Sequence, residues 1–401
     1  MDVRSRPQPF SHAEIADLRA ATPGCAAVTH FNHAGASLMP QVVLDATIGH
    51  LALEATRGGY EAADEAEPRL EAVYDSVARL INADRDEIAL VESATRAWDM
   101  AFYAIPFQPG DRILTSAAEY ASNVIAFLQV ATRGVGVEVI PNDESGQVSI
   151  SALESMMDDR VRVIAISHLP TNGGLVQPAA EIGRIARTGQ ALYLLDACQT
   201  AGQLPLDVRA IRCDVLSATS RKYLRGPRGV GFLYVRRELI RQLEPPMLDL
   251  RAARWVAAGR YEIRDDARRF ESWETSAAGR LGFGAAVDYA LDLGIDRIWE
   301  AVRANAGHLR DALTAIPGIT VHDLGKVKGG IVTFQHESSA PDDIVSALAA
   351  RRINTVSSSE FGARFDMEAR GLTKLVRASV HYLTTDEEID RLVAAIREIT
   401  S

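Results

Sequence analysis

In this chain of 401 residues, a reaction that needs an amine nucleophile has few places to happen, because Lys222, Lys326, Lys328 and Lys374 are its four lysines, against 39 arginines. Lys222 follows the apolar run CDVLSAT, beside Thr219, Ser220 and Arg221 and ahead of a Gly-Pro turn. Asp196 closes the run ALYLLD, 26 residues earlier, with Gln199 three positions on. Each has an ordinary reading by itself, since a loop lysine is usually a solvated charge and an aspartate at a strand end a cap or turn residue. The combination is more specific. An amine that can condense with an aldehyde, a carboxylate that can keep a ring nitrogen protonated, and hydroxyl and guanidinium donors for a phosphate are gathered around two strand ends.

The elements needed to hold them are legible. From about 88 to 235, short β-branched runs (DEIALVES, DRILTS, VEVIPN, VRVIAISH, ALYLLDA, CDVLSAT, GVGFLYV) alternate with helix-period segments. That pattern predicts an α/β fold with a mostly parallel mixed sheet covered by helices on both faces. Ligands collect at the carboxyl ends of such strands, where Asp196 and Lys222 fall. Lysine, carboxylate and phosphate donors in that place meet the needs of pyridoxal 5'-phosphate (PLP). Before the sheet, residues 1–24 read as an N-terminal arm with a short helix capped by Ser11, followed by helices near 40–56 and 67–82. Residues 25–275 form the expected large domain. After an Arg-rich, irregular stretch, residues 276–401 read as a smaller α+β domain, with helices near 296–315, 341–351 and 386–399 around the strands GITVHDL, GGIVTFQ and KLVRASVHYL.

Composition narrows the alternatives. A formal net charge of −10 offers no general attraction for nucleic acid or an anionic membrane. Three scattered cysteines make no disulfide framework, and without a signal-like or membrane-length apolar run the expectation is a cytoplasmic protein. The nine histidines form no HxxxH pair, so no metal site is expected. The VESATRA turn lacks the glycines of a nicotinamide or flavin enzyme.

SHLPTNGGLVQP, LLDACQTAG and SATSRKYLRGPRGVGFLYV, in this order and spacing, resemble the central motifs of the class V aminotransferase and cysteine desulfurase superfamily of fold type I PLP enzymes. The resemblance runs from about 28 to 395. It implies that Lys222 is the Schiff-base lysine, that Asp196 pairs with the pyridinium nitrogen, and that Gln199 bonds the phenolic oxygen with Asn172 nearby. Thr219 and Arg221 would hold the phosphate, with arginine where many relatives have histidine. In VESATRAWDMAFYAI, Ala94 and Thr95 match a phosphate-binding turn at a helix N-terminus. Tyr120 of SAAEYASN takes the ring-stacking place, where desulfurases typically carry histidine. Arg377 of KLVRASVHYLTT matches the arginine that grips the substrate carboxylate. Asn32 and His33 of FNHAGA would line the substrate side. Thr275 of FESWETSAAG stands at a loop that reaches the neighbouring subunit's phosphate in family dimers, which implies a homodimer with active sites near the interface.

The same resemblance sets an expectation for the reaction. Desulfurases carry a nucleophilic cysteine some 15 residues before the carboxylate arginine, and NTVSSSEFGARFDMEARGLTKLVRAS has none. The expectation is therefore a lyase or transferase that acts on an amino acid through an external aldimine and a Cα carbanion, and not a persulfide-forming desulfurase. β-Elimination by a C–S lyase on a cysteine conjugate or sulfoxide is placed first, because SRKYLRGPRG and FESWETS resemble lyases of the ergothioneine type. Transamination or epimerisation follows, and a non-catalytic PLP-binding protein comes last.

Overall fold

The computed structural model describes residues 10–401; residues 1–9 of the expected arm lie outside it. Seven runs predicted as strands form one sheet: Ile88–Val91 (β1), Arg112–Ser116 (β2), Gly136–Ile140 (β3), Val161–Ser167 (β4), Leu192–Asp196 (β5), Val215–Thr219 (β6) and Gly231–Val235 (β7). Their order is β1-β7-β6-β5-β4-β2-β3. Strands β6, β5, β4, β2 and β3 are parallel, and β7 runs antiparallel to both its neighbours. The central strands are buried along almost their whole length, as expected where helices cover both faces. One core includes Ile164, Ile166, Leu195 and Leu216, and the other Ile113, Val163, Leu194 and Val215, so alternate residues of each strand feed opposite layers.

The C-terminal sheet is antiparallel, with Ile319–Val321 (β8), Ile331–His336 (β9), Val356–Ser359 (β10) and Lys374–Ser379 (β11) in the order β8-β9-β11-β10. The N-terminal segment is tied to it. Thr29–His30 pairs in parallel with Ile353–Asn354, and Asn32 bridges to Ser379 at the end of β11. The turn FNHAGA thus lies between the two sheets.

The helix expected from 67 begins at Gly59 and runs to Ile81, with Pro68 inside it. Proline at a first turn is common, which is why the sequence places the start there. Here Pro68 is exposed, and the preceding turns are held by burial of Ala62 and Ala66. The stretch read as irregular contains a two-stranded hairpin, Ala253–Ala257 with Arg260–Ile263. Helix Ala277–Leu293, counted with the smaller domain in the sequence, packs on helices Gln41–Arg57 and Gly59–Ile81. Among the described residues no helix is long and apolar enough to cross a membrane.

Candidate active site

A cavity of about 270 Å³ opens at the carboxyl ends of the large sheet. Its floor is the end of β5 and the turn after it, Asp196, Cys198 and Gln199; one wall is the end of β6, Thr219, with Arg221 and Lys222. The opposite wall is Tyr120, Ser167, Leu169 and Thr171. Glu92, Ser93, Ala94 and Thr95 close the remaining end with Arg228 and Gly229. Parallel neighbours β5 and β6 bring residues 26 apart in sequence to one place, because both chains leave the sheet at the same edge.

Lys222 is partly buried, and desolvation pushes its amine below the ordinary lysine value, against the opposing pull of Cys198 and Asp196. A lysine that sheds its proton more readily is more often present as the free amine, the form that can act as nucleophile or base. Two of the other lysines are already paired at the surface, Lys326 with Asp143 and Lys374 with Asp342. Asp196 is held in a set orientation: Oδ1 accepts from the Cys198 backbone N–H at 2.8 Å and Oδ2 from Asn123 Nδ2 at 3.1 Å.

Helix Ala94–Phe102 starts at the cavity, and Ser93 caps it by accepting from Arg96 N at 3.1 Å. The first-turn amides of Ala94 and Thr95 have no carbonyl within the helix to bond, which makes this end a natural anion cradle. Arg221 bonds the Gly35 carbonyl, and its own carbonyl accepts from Ser37 N at 2.8 Å, so the N-terminal turn clamps the residue beside the lysine.

Arg377 stands one layer behind Thr171, outside the cavity lining. Its Nη1 donates to Thr171 Oγ1 at 2.7 Å and to Thr171 O at 3.0 Å, and Nη2 to Asn32 Oδ1 at 3.3 Å, while the buried Nε has no partner. Burial lowers its guanidinium to about 10, which leaves it cationic at neutral pH. No carboxylate among the described residues pairs with it at ion-pair distance.

The other expected residues are placed as follows. Tyr120, Gln199 and Thr219 line the cavity. Asn172 is buried but turned away from it, with Nδ2 donating to Asp366 Oδ2 at 2.7 Å. Asn32 reaches the site through Arg377. His33 is buried between His30 and His381 and bonds Ser37 Oγ at 3.1 Å, clear of the lining. Thr275 lies away from this cavity, one residue before the Ser276 cap of helix Ala277–Leu293. Thr171, Ser167, Glu92, Cys198 and Arg228 also line the cavity; each lies inside a motif quoted above but was given no site role there, because its part follows only from where its strand or turn ends.

The residues present fit PLP. A cavity holding a depressed lysine, a fixed aspartate, a capped helix N-terminus and the unpartnered buried oxygen Gln199 Oε1 is a polar socket short of partners. Lys222 would hold the aldehyde carbon, Asp196 the ring nitrogen, and the Ala94–Thr95 turn with Thr219 and Arg221 the phosphate.

This architecture is that of a fold type I PLP enzyme. The family model for class V aminotransferases matches residues 29–392, and the chain belongs to that family. It is a PLP-dependent enzyme. It is similar to a probable cysteine desulfurase of Methanothermobacter thermautotrophicus, with 33% identity over 86% of each chain. Among solved structures it is similar to a cysteine desulfurase of Escherichia coli in its S-sulfonic acid form, with a TM-score of 0.89, 24% identity and coverage of 98% and 99%. A complex between a cystine C–S lyase and its reaction product, cysteine persulfide, matches with a TM-score of 0.85, 24% identity and coverage of 94% and 99%.

These likenesses correct the expectation of a C–S lyase or transferase that is not a persulfide-forming desulfurase, because the relatives are named cysteine desulfurases. That expectation rested on one loop without a cysteine. The inference was too narrow physically, since a persulfide can form on any thiol that reaches the leaving sulfur, including one that is not part of the chain.

Proposed function

We propose that this enzyme removes the sulfur atom of L-cysteine, leaving alanine, and passes the sulfur to a thiol that the chain does not itself supply. The reading rests on one arrangement: a buried cation free of any carboxylate, Arg377, standing one residue behind a cavity that holds Lys222 and Asp196. That arrangement accepts an α-amino acid with its carboxylate on Arg377 and its amino end toward Lys222. The choice of cysteine follows the names of the relatives.

Arg377 would take the carboxylate by a bidentate contact, helped by its bond to Thr171, and so orient the bonds at Cα. Bound PLP supplies an electron sink for those bonds. Lys222, its amine already depressed by burial, is placed to take and return the Cα proton. Asp196, anchored by Cys198 N and Asn123, would hold the positive charge at the ring nitrogen.

Residues 354–379 contain no cysteine. Cys198 does line the cavity, but burial and then the adjacent Asp196 push its thiol well above the ordinary range, so it carries little thiolate. The acceptor is therefore an external thiol. In the balanced reaction, cysteine and R–SH give alanine and R–S–SH: the Cβ–S bond breaks, an S–S bond forms, and the protons of the two thiols end on the alanine methyl group and the persulfide. The test is incubation of the PLP-loaded enzyme with cysteine and dithiothreitol. Equimolar alanine and sulfide are expected. Pyruvate and ammonia without alanine, or conversion of the cofactor to pyridoxamine phosphate, would overturn the reading.

The homodimer belongs to the same proposal. Val42, Ile48 and Leu51 on helix Gln41–Arg57, Ile125 and Leu128 on helix Ala121–Ala131, and Trp255 and Trp273 are large apolar side chains left exposed. Trp273 stands two residues before Thr275, so a second copy covering this surface would also meet the loop that holds Thr275. Sedimentation at micromolar concentration should give a dimer, and a monomer would reject it.

A further inference from the structure

Behind Asp196 lies a second carboxylate that the reaction above does not use. Glu119 is 1% exposed, one residue before Tyr120. Its Oε1 accepts from Tyr120 N at 3.0 Å, Asn123 Nδ2 at 2.8 Å and Ser167 Oγ at 2.5 Å, and its Oε2 accepts from Ser167 N at 2.8 Å. Asn123, one helical turn on, is 2% exposed and also donates to Asp196 Oδ2 at 3.1 Å. An amide nitrogen has two protons. Asn123 therefore spends both on two carboxylates, and its orientation is fixed by Glu119 on one side and Asp196 on the other.

Proton counting at Thr115 points to the state of Glu119. Thr115 Oγ1 lies 3.2 Å from Glu119 Oε2 and 2.8 Å from the Ala165 carbonyl. A hydroxyl has one proton, and the shorter contact with the carbonyl takes it. The contact with Oε2 is then a repulsion between lone pairs unless Glu119 carries a proton there and donates it to Thr115. We propose that Glu119, held as the neutral acid with its proton toward Thr115, and Asn123 are positioning residues that aim Asp196 into the cavity and leave it the one charged carboxylate at that floor. The inference rests on the reading that Asp196 faces the ring nitrogen of PLP.

The electrostatics agree. Burial raises the Glu119 carboxyl to about 7 against the pull of Ser167 and Asn123, with the charge of Asp196 adding to the rise. The groups facing it are Thr115 of β2, Ser167 of β4, Asp196 of β5, and Tyr120 and Asn123, with Tyr193 of β5 also feeling its charge. Among the described residues none of its hydrogen bonds comes from a cation. A second negative charge here would face Asp196 through one amide, a costly arrangement in a dry site.

The test compares Glu119→Gln, Glu119→Ala and Asn123→Ala. PLP affinity is measured by absorbance titration at pH 6, and the protonated-carboxyl infrared band is recorded on cofactor-free protein. Glutamine keeps the neutrality of the acid and can donate to Thr115, but its Nε2 cannot accept from Ser167 N, so E119Q should lose PLP affinity by only about threefold, whereas E119A and N123A should each lose about tenfold or more. The infrared band should be present in wild type at pH 6 and reduced in E119Q. An affinity loss in E119Q as large as in E119A, or an infrared spectrum unchanged by E119Q, would overturn the proposal. If the alanine variants fail to fold, the E119Q titration and the infrared comparison still decide it. Asp196→Asn separates the underlying reading: if D196N binds PLP as wild type does, the role of Asp196 falls, while the infrared result still reports the state of Glu119.

Discussion

The two edges of the large sheet carry similar residue types and use them in opposite ways. At the amino edge, charges are closed into pairs: Asp214 meets Arg236 at 2.7 Å and Arg187 at 3.0 Å, and Arg112 meets Glu138 at 2.6 Å and Asp158 at 3.0 Å. At the carboxyl edge Lys222, Asp196 and Arg221 line one cavity, with Arg377 of the C-terminal sheet one layer behind it, yet none of them ion-pairs with another described residue. A buried or half-buried charge without a counter-ion costs free energy, and a fold carries it where a ligand completes it. Pairing state, more than residue type, separates the scaffold edge from the site edge. Arg225 sharpens the contrast. It too is buried without a carboxylate, but each of its three nitrogens has a partner, in Leu38 O, Thr22 Oγ1 and Tyr382 OH, so it ties the N-terminal segment to the C-terminal region.

The comparison can be broken at several points. The largest effect is expected from Lys222→Ala, which should abolish cofactor trapping by borohydride and reduce turnover by about 10³-fold or more, with little change in melting temperature. Trapping that persists on another lysine would assign the site elsewhere. Asp214→Ala at the opposite edge should do the reverse, costing about 2–3 kcal/mol of stability, because Arg187 loses its ion-pair partner, Arg236 keeps only Glu238, and the buried Tyr193 N–H loses its carboxylate acceptor. Its PLP affinity should not change; chemical denaturation and cofactor titration together check this. Arg377→Leu should raise KM for cysteine by roughly ten- to a hundredfold, with PLP affinity within about twofold. An equal loss of both would place this arginine at the cofactor.

A pH effect follows from the buried histidines. Burial lowers His168 to about 4 and His381 to about 3, and holds His33 well below the ordinary value. The unfolded chain takes up protons from about pH 6.5 downward while these folded sites do not, so stability is full above that pH and is lost as pH falls toward about 4. The slope is at most about 1.4 kcal/mol per pH unit for each group. His381→Asn should flatten the dependence of the melting temperature between pH 6.5 and 4, and an unchanged slope would remove His381 from the account. The smallest effect is expected from Cys198→Ala, which should keep alanine formation within about threefold if the acceptor is external. Loss of sulfur transfer in that variant would make Cys198 the acceptor.

Much of this was legible before any coordinates. The seven β-branched runs are the seven strands, Asp196 ends one of them and Lys222 follows the end of another, because a doubly covered parallel sheet writes itself as apolar runs and its ligand edge follows from strand direction. The start of helix Gly59–Ile81 was not legible, since local preference puts Pro68 at a first turn while burial of Ala62 and Ala66 extends the helix past it. Nor was the turning of Asn172 toward Asp366, a contact across 194 residues that no local pattern carries.

The sequence by itself determined the fold class and the family, and singled out Lys222 and Asp196 as the expected reactive pair, since residue type, period and spacing are local properties of the chain. Which charges stand unpaired, that Arg377 reaches the site through Thr171 and Asn32, and that a buried glutamic acid lies behind Asp196 were decided by tertiary structure alone. Those properties depend on which groups burial brings together and on how many hydrogen-bond partners remain there, and neither is recorded in the order of residues.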